Sequence, residues 1–234
     1  MNGLATMTKT ELRLLSRDLG SLVSALAIPL FVLLIFGLSY KANNSALPSM
    51  SVAIALALNS LYVVPTYLGT YREKGILRRL ATTPMAPATL LTAQLLIHLL
   101  LTAVSIGVVV VAASLMGISP PAHVPGAVAA FGLGVLAMFG IGVLIAALAP
   151  SGRAASGMGV LLYFPLAFLG GVTVPREQMP ALLARIGDWT PLGAFRQAVA
   201  AAWSGSAPSL LSLGIMAAYA LVAGALAARF FRWE

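Results

Sequence analysis

Six stretches of about 20 or more mostly apolar residues follow one another along this chain of 234 residues. A helix of about 20 apolar residues is long enough to cross the hydrocarbon of a bilayer. Only 9% of the residues are charged, against about a quarter in soluble domains. We therefore predict an all-α integral membrane protein with six transmembrane helices, at residues 21–40, 50–70, 90–116, 124–149, 154–174 and 209–229.

The fifth of these stretches is the least regular. Proline removes a backbone donor from a helix, and glycine is a weak helix former. We therefore expect a kink or an early end in this stretch, which contains Gly157, Gly159, Pro165, Gly170 and Gly171.

The basic residues predict the orientation. Lys and Arg collect on the cytoplasmic loops of membrane proteins, and this bias explains the net charge of +8 better than nucleic-acid binding does. We expect a multi-pass protein of the plasma or inner membrane with both termini in the cytoplasm. Most of the 14 basic residues then lie inside, and four lie outside: Lys41, Arg176, Arg185 and Arg196.

Residues 3–20 have the pattern of a helix that lies in the membrane interface. Lys9, Arg13 and Arg17 recur at a spacing of four residues and form one charged stripe. A second helical face is apolar, with Leu12, Leu15, Leu19 and Leu22. The sequence leaves open whether this helix only anchors the chain or also regulates it.

Residues 72–80 form a charged segment between the second and third predicted spans. Treated as one helix, the segment places Glu73 in the middle of an apolar arc formed by Ile76, Leu77 and Leu80. A carboxylate in that position favours docking into a groove of a protein that offers a basic group. Alternatively, Glu73 complements the positive end of a helix dipole.

Residues 174–208 form the longest predicted outer segment. Two short amphipathic helices are predicted in it, one with Leu182, Leu183, Ile186 and Trp189, the other with Leu192, Phe195, Val199 and Trp203. A segment this apolar is predicted to re-enter the bilayer edge or to cap the outer end of the bundle.

The sequence lacks the motifs of several enzyme classes. It has no G-x-x-x-x-G-K-[ST] nucleotide-binding loop, no H-E-x-x-H motif and no cysteine. We therefore expect no catalytic residue, no metal site and no cofactor in this chain. No acidic or basic residue lies deep in a predicted span, whereas ion-coupled carriers usually place such groups in the membrane.

A few polar residues do lie in the predicted spans. They either bridge helices, which is the favoured interpretation, or line a path for an amphipathic substrate. The candidates for such a path are Asn59, Ser60, Gln94 and His98.

Two motifs resemble those of the membrane subunit of type-2 ABC transporters, the ABC-2 permease family. Residues 71–84, YREKGILRRLATTP, are similar to the REKGTLERLRATP loop of that family. Residues 168–175, FLGGVTVP, followed by Met179-Pro180 and Thr190-Pro191-Leu192, resemble its second motif. The resemblance covers the whole chain as a single transmembrane domain, residues 1–234.

This resemblance implies a partner and an assembly. Residues 3–20 would be the connecting helix, and residues 174–208 the extracellular re-entrant loop. Residues 71–84 would hold the coupling helix that docks on a separate ABC ATPase carrying ATP and Mg²⁺, with Glu73 as the central acidic contact. Two permease chains would pair as a homodimer or heterodimer. The implied coupling residues are Arg72, Glu73, Lys74, Gly75, Leu77, Arg78 and Arg79.

We therefore expect a permease subunit of an ATP-driven exporter for a hydrophobic or amphipathic substrate, such as a drug, antibiotic or lipid-like molecule. The family also exports polysaccharides, and the residues do not choose among these. Two alternatives stay open: a non-transporting membrane scaffold or assembly protein, and an ion-coupled secondary carrier.

Overall fold

The computed structural model describes residues 3–39, 46–81, 87–174 and 176–230, and within these ranges every regular element is a helix. The α-helices are α1 (Gly3–Arg17), α2 (Leu19–Ser39), α3 (Ala46–Leu58), α4 (Val64–Glu73), α5 (Ile76–Ala81), α6 (Pro87–Leu115), α7 (Val124–Leu148), α8 (Gly152–Leu169), α9 (Ala181–Asp188), α10 (Pro191–Trp203) and α11 (Leu210–Phe230). A π-helical turn, Asn59–Val63, joins α3 to α4, and a 3₁₀ turn, Arg176–Gln178, precedes α9.

Within the described ranges, five helical segments are long and apolar enough to cross a membrane: Leu47–Glu73, Thr89–Leu115, Val124–Leu148, Gly152–Leu169 and Leu210–Phe230. A sixth is possible if the bent pair of Gly3–Arg17 and Leu19–Ile35, which meet at 81°, counts as one span. The predicted all-α membrane architecture is thus confirmed. The last residue of the first predicted span, residue 40, lies outside the described residues.

The second span lies at the centre of the bundle. In its most apolar stretch 89% of the residues are buried, compared with 22–56% in the other four spans. Its π-helical turn packs against helices on both sides, because a Cβ atom at Gly142 of α7 would collide with the carbonyl oxygen of Ser60, and one at Gly159 of α8 with that of Leu61. Two glycines therefore allow α7 and α8 to approach this turn closely.

The predicted early end of the fifth span is confirmed. The corresponding helix, α8, ends at Leu169, before the predicted end at residue 174. Pro165 lies within the helix and does not end it. The chain then turns at Gly170 and Gly171, where Gly171 has φ +68. That left-handed conformation suits glycine, which has no Cβ.

The two short helices predicted in the outer segment are also confirmed, as α9 and α10. The predicted apolar stripe of α10 is buried against α3, α7 and α11, with Phe195 fully inaccessible. The apolar residues of α9 mostly face outward, and Leu182 is 69% exposed and Trp189 62% exposed. The two helices have similar apolar periodicity, but α10 lies inside the bundle and α9 lies on its surface. Pro175, in the second motif, lies outside the described residues.

Candidate coupling site and the polar network beside it

The segment between the second and third spans is a helix break. Helix α4 ends at Glu73, Lys74 and Gly75 form a turn, and α5 begins at Ile76. Gly75 has φ +67, a conformation that residues with a side chain rarely adopt. The interpretation of residues 72–80 as one continuous helix is therefore wrong. Residues 82–84, the end of the sequence motif, lie outside the described residues.

The apolar side of this segment packs on the protein's own bundle. Leu77 is only 1% exposed and belongs to a cluster with Val64, Leu68 and Leu90. Ile76 is partly buried against the same cluster. Among the residues of positions 72–79, the exposed ones are all charged, and we call them the charged turn: Glu73, Lys74, Arg78 and Arg79.

Arg72 and Glu73 bind the two sides of the connection between α7 and α8. The Arg72 guanidinium donates from Nη1 to the carbonyl oxygen of Ala149 at 2.8 Å and from Nη2 to that of Ala147 at 3.3 Å. The Glu73 Oε2 atom accepts a hydrogen bond from the backbone N–H of Gly152, the first residue of α8, at 3.2 Å. Each charge therefore lies at the helix end whose dipole it complements.

These contacts bear on the two interpretations of Glu73. The carboxylate complements the positive end of a helix dipole, as the second interpretation required, and the helix is α8. Glu73 is also exposed, so the same side chain is accessible from outside the bundle. Gly152 permits this arrangement because a Cβ atom there would collide with the side chain of Thr70.

A buried carboxylate beside this segment was missed by the sequence analysis. Glu11 of α1 is only 3% exposed. Its oxygens accept hydrogen bonds from the Tyr71 hydroxyl at 2.9 and 2.8 Å, and Oε2 also accepts one from Nε2 of Gln94 at 2.7 Å. Burial raises the pKa of Glu11, although these hydrogen bonds act in the opposite direction. Glu11 thus joins α1 to α4 and α6.

A sequence signal for Glu11 existed. It lies four residues before Leu15, so the two share one helical face, and these two residues are the buried ones of α1. The leucines that suggested the apolar face do not all lie inward, since Leu12 is 43% exposed and Leu19 73% exposed. The basic stripe of Lys9, Arg13 and Arg17 is exposed.

A second carboxylate lies at the bend between α1 and α2. Asp18 accepts hydrogen bonds from the backbone N–H and hydroxyl of Ser21 at 3.1 and 2.7 Å, and from the Tyr67 hydroxyl at 2.8 Å. Partial burial raises the pKa of Asp18, but the hydrogen bonds outweigh it and hold the pKa below its ordinary value. Tyr67 and Tyr71 are one turn apart, so α4 binds α1 and its bend through two tyrosine–carboxylate pairs.

The four candidate path residues all lie inside the protomer, with exposures of 0% for Asn59 and Ser60, 5% for Gln94 and 3% for His98. Asn59 donates to the Thr102 hydroxyl at 3.3 Å, and Ser60 lies 3.0 Å from Nε2 of His98. These bonds favour the helix-bridging interpretation, and a role in a substrate path stays a prediction.

A small cavity lies between the contacts of Glu11 and the contact of His98 with Ser60. Its lining includes Glu11, Tyr67, Gln94 and His98, and its volume of about 20 Å³ is enough for one water molecule. Within the described ranges, no group of three or more His, Cys, Asp or Glu side chains is placed to hold a metal ion. The described polar groups therefore suit the positioning of helices.

Comparison with known proteins identifies the family. The family model for the ABC-2 type transporter matches residues 2–203, a range that runs from α1 through the charged turn to the end of α10. None of the curated proteins compared with this chain matches it.

Proposed function

This chain belongs to the ABC-2 type transporter family, and we propose that it is the membrane-spanning permease subunit of an ATP-driven exporter. Members of this family are multi-pass membrane components of transporters that normally pair with an ABC ATPase. In our proposal the charged turn is the surface that docks on this ATPase. ATP and Mg²⁺ bind the partner, and this chain converts the partner's motion into a rearrangement of helices.

One observation carries this proposal: the charged turn is exposed, while its Glu73 and the adjacent Tyr71 and Arg72 connect it to four helices. Arg72 and Glu73 bind the facing ends of α7 and α8. Tyr71, one residue earlier, binds Glu11 of α1, which in turn binds Gln94 of α6. In our proposal, a displacement applied at the turn reaches the ends of these helices through these hydrogen bonds, which form a contiguous network of the kind that carries coupling.

The remaining parts of the proposal concern topology and assembly. With both termini in the cytoplasm, α1 lies along the inner membrane surface, because it meets α2 at 81°, and α9 and α10 form the re-entrant loop at the outer surface. Two permease chains pair, as a homodimer or heterodimer, and the substrate passes between them. The chemistry of the described interior suits a hydrophobic or amphipathic substrate, such as a drug, antibiotic or lipid-like molecule.

The docking proposal is tested by affinity purification of the gently solubilised chain from its host, followed by mass spectrometry. We expect the wild-type chain to recover an ABC ATPase subunit, and Glu73→Arg to lose it. Because Glu73→Arg also removes the hydrogen bond to Gly152, Lys74→Glu serves as a second variant. Lys74 is exposed, so its replacement changes the charge of the turn without that loss.

Arg185→Glu is the matched control, since it reverses an exposed charge on α9. We expect it to recover the ATPase as the wild-type chain does. Recovery of no ATPase with the wild-type chain would favour a scaffold or a secondary carrier. Equal recovery with wild type, Glu73→Arg and Lys74→Glu would instead move the docking surface away from the charged turn.

A further inference from the structure

A lateral groove runs between α6 and α7 near the start of α7. Its walls include Gly107 of α6 and Phe131 of α7, and its floor includes Phe195 and Trp203 of α10. Its volume is about 280 Å³. This is nearly twice the engineered cavity of about 150 Å³ that holds one benzene molecule, so roughly ten carbon atoms fit.

The lining offers almost nothing to which water could bind. Its residues are apolar apart from the indole of Trp203, and the Trp203 Nε1–H already donates to the carbonyl oxygen of Ser119 at 2.9 Å. A buried water needs two to four polar partners. The groove is therefore a site for an apolar ligand.

The groove opens toward lipid. Val128 of α7, which lines the groove, is 63% exposed. The two helices that form the groove expose further large apolar side chains, Val104 by 46% and Val111 by 61% on α6 and Val124 by 59% on α7. Around these faces the medium is bilayer hydrocarbon. An unfilled groove there would forfeit dispersion contacts along its whole lining.

We propose that this groove is a binding site for one acyl chain of a bilayer lipid. The chain enters sideways between α6 and α7 and covers the apolar face of α10 formed by Phe195, Val199 and Trp203. The lipid thereby becomes part of the packing that holds α10 against the bundle. This inference needs only that α6 and α7 span the membrane, and it holds whether or not the charged turn docks on an ATPase.

Gly107, in the groove wall, is a suitable position for a variant that fills the groove. A Cβ atom at Gly107 would have no neighbouring atom within 4 Å, so Gly107→Leu introduces an apolar side chain at the groove wall from an open position. Gly214 of α11 is equally open and does not line the groove. Gly214→Leu is therefore the matched control, and Ala103→Leu is a second groove-filling variant.

Trp203 reports the occupant directly. Trp189→Phe combined with Trp233→Phe leaves Trp203 as the only tryptophan. The purified chain is reconstituted, without cargo, into vesicles of phosphatidylcholine that carries bromine on one acyl chain. Bromine quenches indole fluorescence at short range. Although Trp203 is only 7% exposed, we expect clear quenching relative to vesicles of unbrominated lipid.

Filling the groove should remove this signal. We expect Gly107→Leu and Ala103→Leu each to lose at least half of the quenching, and Gly214→Leu to retain it. Circular dichroism and gel filtration establish that each variant is folded. The proposal is overturned if Trp203 is not quenched in the parent protein, or if the folded groove-filling variants are quenched as strongly as Gly214→Leu.

Discussion

The two ends of α7 are held by different kinds of contact. At its C-terminus lies the polar end, where Arg72 binds the carbonyl oxygens of Ala147 and Ala149, and where Tyr71 binds the buried Glu11. In its N-terminal half lies a second contact, which we call the packed end, where Phe195 of α10 rests on Gly134 so closely that a Cβ atom would overlap its ring. The polar end depends on direction and charge, and the packed end depends on shape.

This difference between the two ends follows from the membrane environment. Lipid tails are as apolar as leucine, so burial of apolar side chains against another helix brings little hydrophobic gain in a membrane. Close approach at small residues replaces that gain at the packed end. A contact between rigid shapes has one arrangement, whereas hydrogen bonds and charges can exchange partners. This contrast suits a motion that begins at the polar end and a framework that persists at the packed end.

The largest effect is expected from filling the packed end. Gly134→Leu forces the fully buried Phe195 ring out of its place, and overpacking of this kind costs about 3 kcal/mol at the upper end of its usual range. Thermal unfolding in a fixed lipid–detergent mixture measures the loss. Gly132→Leu is the control on the same helix, because a Cβ atom at Gly132 has no neighbour within 4 Å. Equal melting temperatures for the two variants would contradict the contrast between the ends.

The next effect concerns the buried carboxylate of the polar end. Glu11→Ala leaves the Tyr71 hydroxyl and the Gln94 amide without their carboxylate partner, and unpaired buried donors cost about 2 kcal/mol. Glu11→Gln keeps an acceptor oxygen for Tyr71 and should recover part of the loss. Protease accessibility of α1 and thermal unfolding measure both variants.

The exposed Lys9 on the same helix provides the control, and Lys9→Ala should leave both measurements near wild type. If Glu11→Gln were as unstable as Glu11→Ala, the loss would come from the altered charge and not from the missing acceptor.

Through Glu11, the free energy of unfolding should depend on pH. Its pKa is raised in the folded protein by burial, so the folded state binds this proton more tightly than the unfolded state. The stability that this proton contributes is complete below the unfolded pKa, near 4.5, and declines as pH rises through the folded value. In wild type relative to Glu11→Gln, the free energy of unfolding should therefore fall with rising pH above about 4.5. A parallel pH dependence in the two proteins would exclude this linkage.

Sequence patterns predicted the architecture well, because they report helical faces and lengths. The stripe of Leu192, Phe195, Val199 and Trp203 marks the buried face of α10. A similar apolar set marks the exposed surface of α9, with Leu182 and Trp189. In a membrane protein both lipid and the protein interior accept apolar side chains, so hydrophobicity alone does not separate the two environments.

The candidate site was predicted less completely, for two physical reasons. A helical wheel assumes an unbroken helix, and the left-handed Gly75 breaks it, which turns Leu77 inward and leaves the charged residues outside. The importance of Glu11 depends on Tyr71 and Gln94, which lie 60 and 83 residues away along the chain. Such long-range partners leave no local pattern.

The smallest effect should come from the second tyrosine–carboxylate pair. Tyr67→Phe removes the hydrogen bond from the Tyr67 hydroxyl to Asp18, but Asp18 keeps both hydrogen bonds from Ser21 and is partly accessible. We therefore expect a loss of about 0.5–1 kcal/mol, below that of Tyr71→Phe, which deprives the buried Glu11 of its hydroxyl donor. Denaturant unfolding of the two variants compares them directly. A loss for Tyr67→Phe equal to or greater than that for Tyr71→Phe would mean that the bend between α1 and α2, and not Glu11, holds the N-terminal helix to α4.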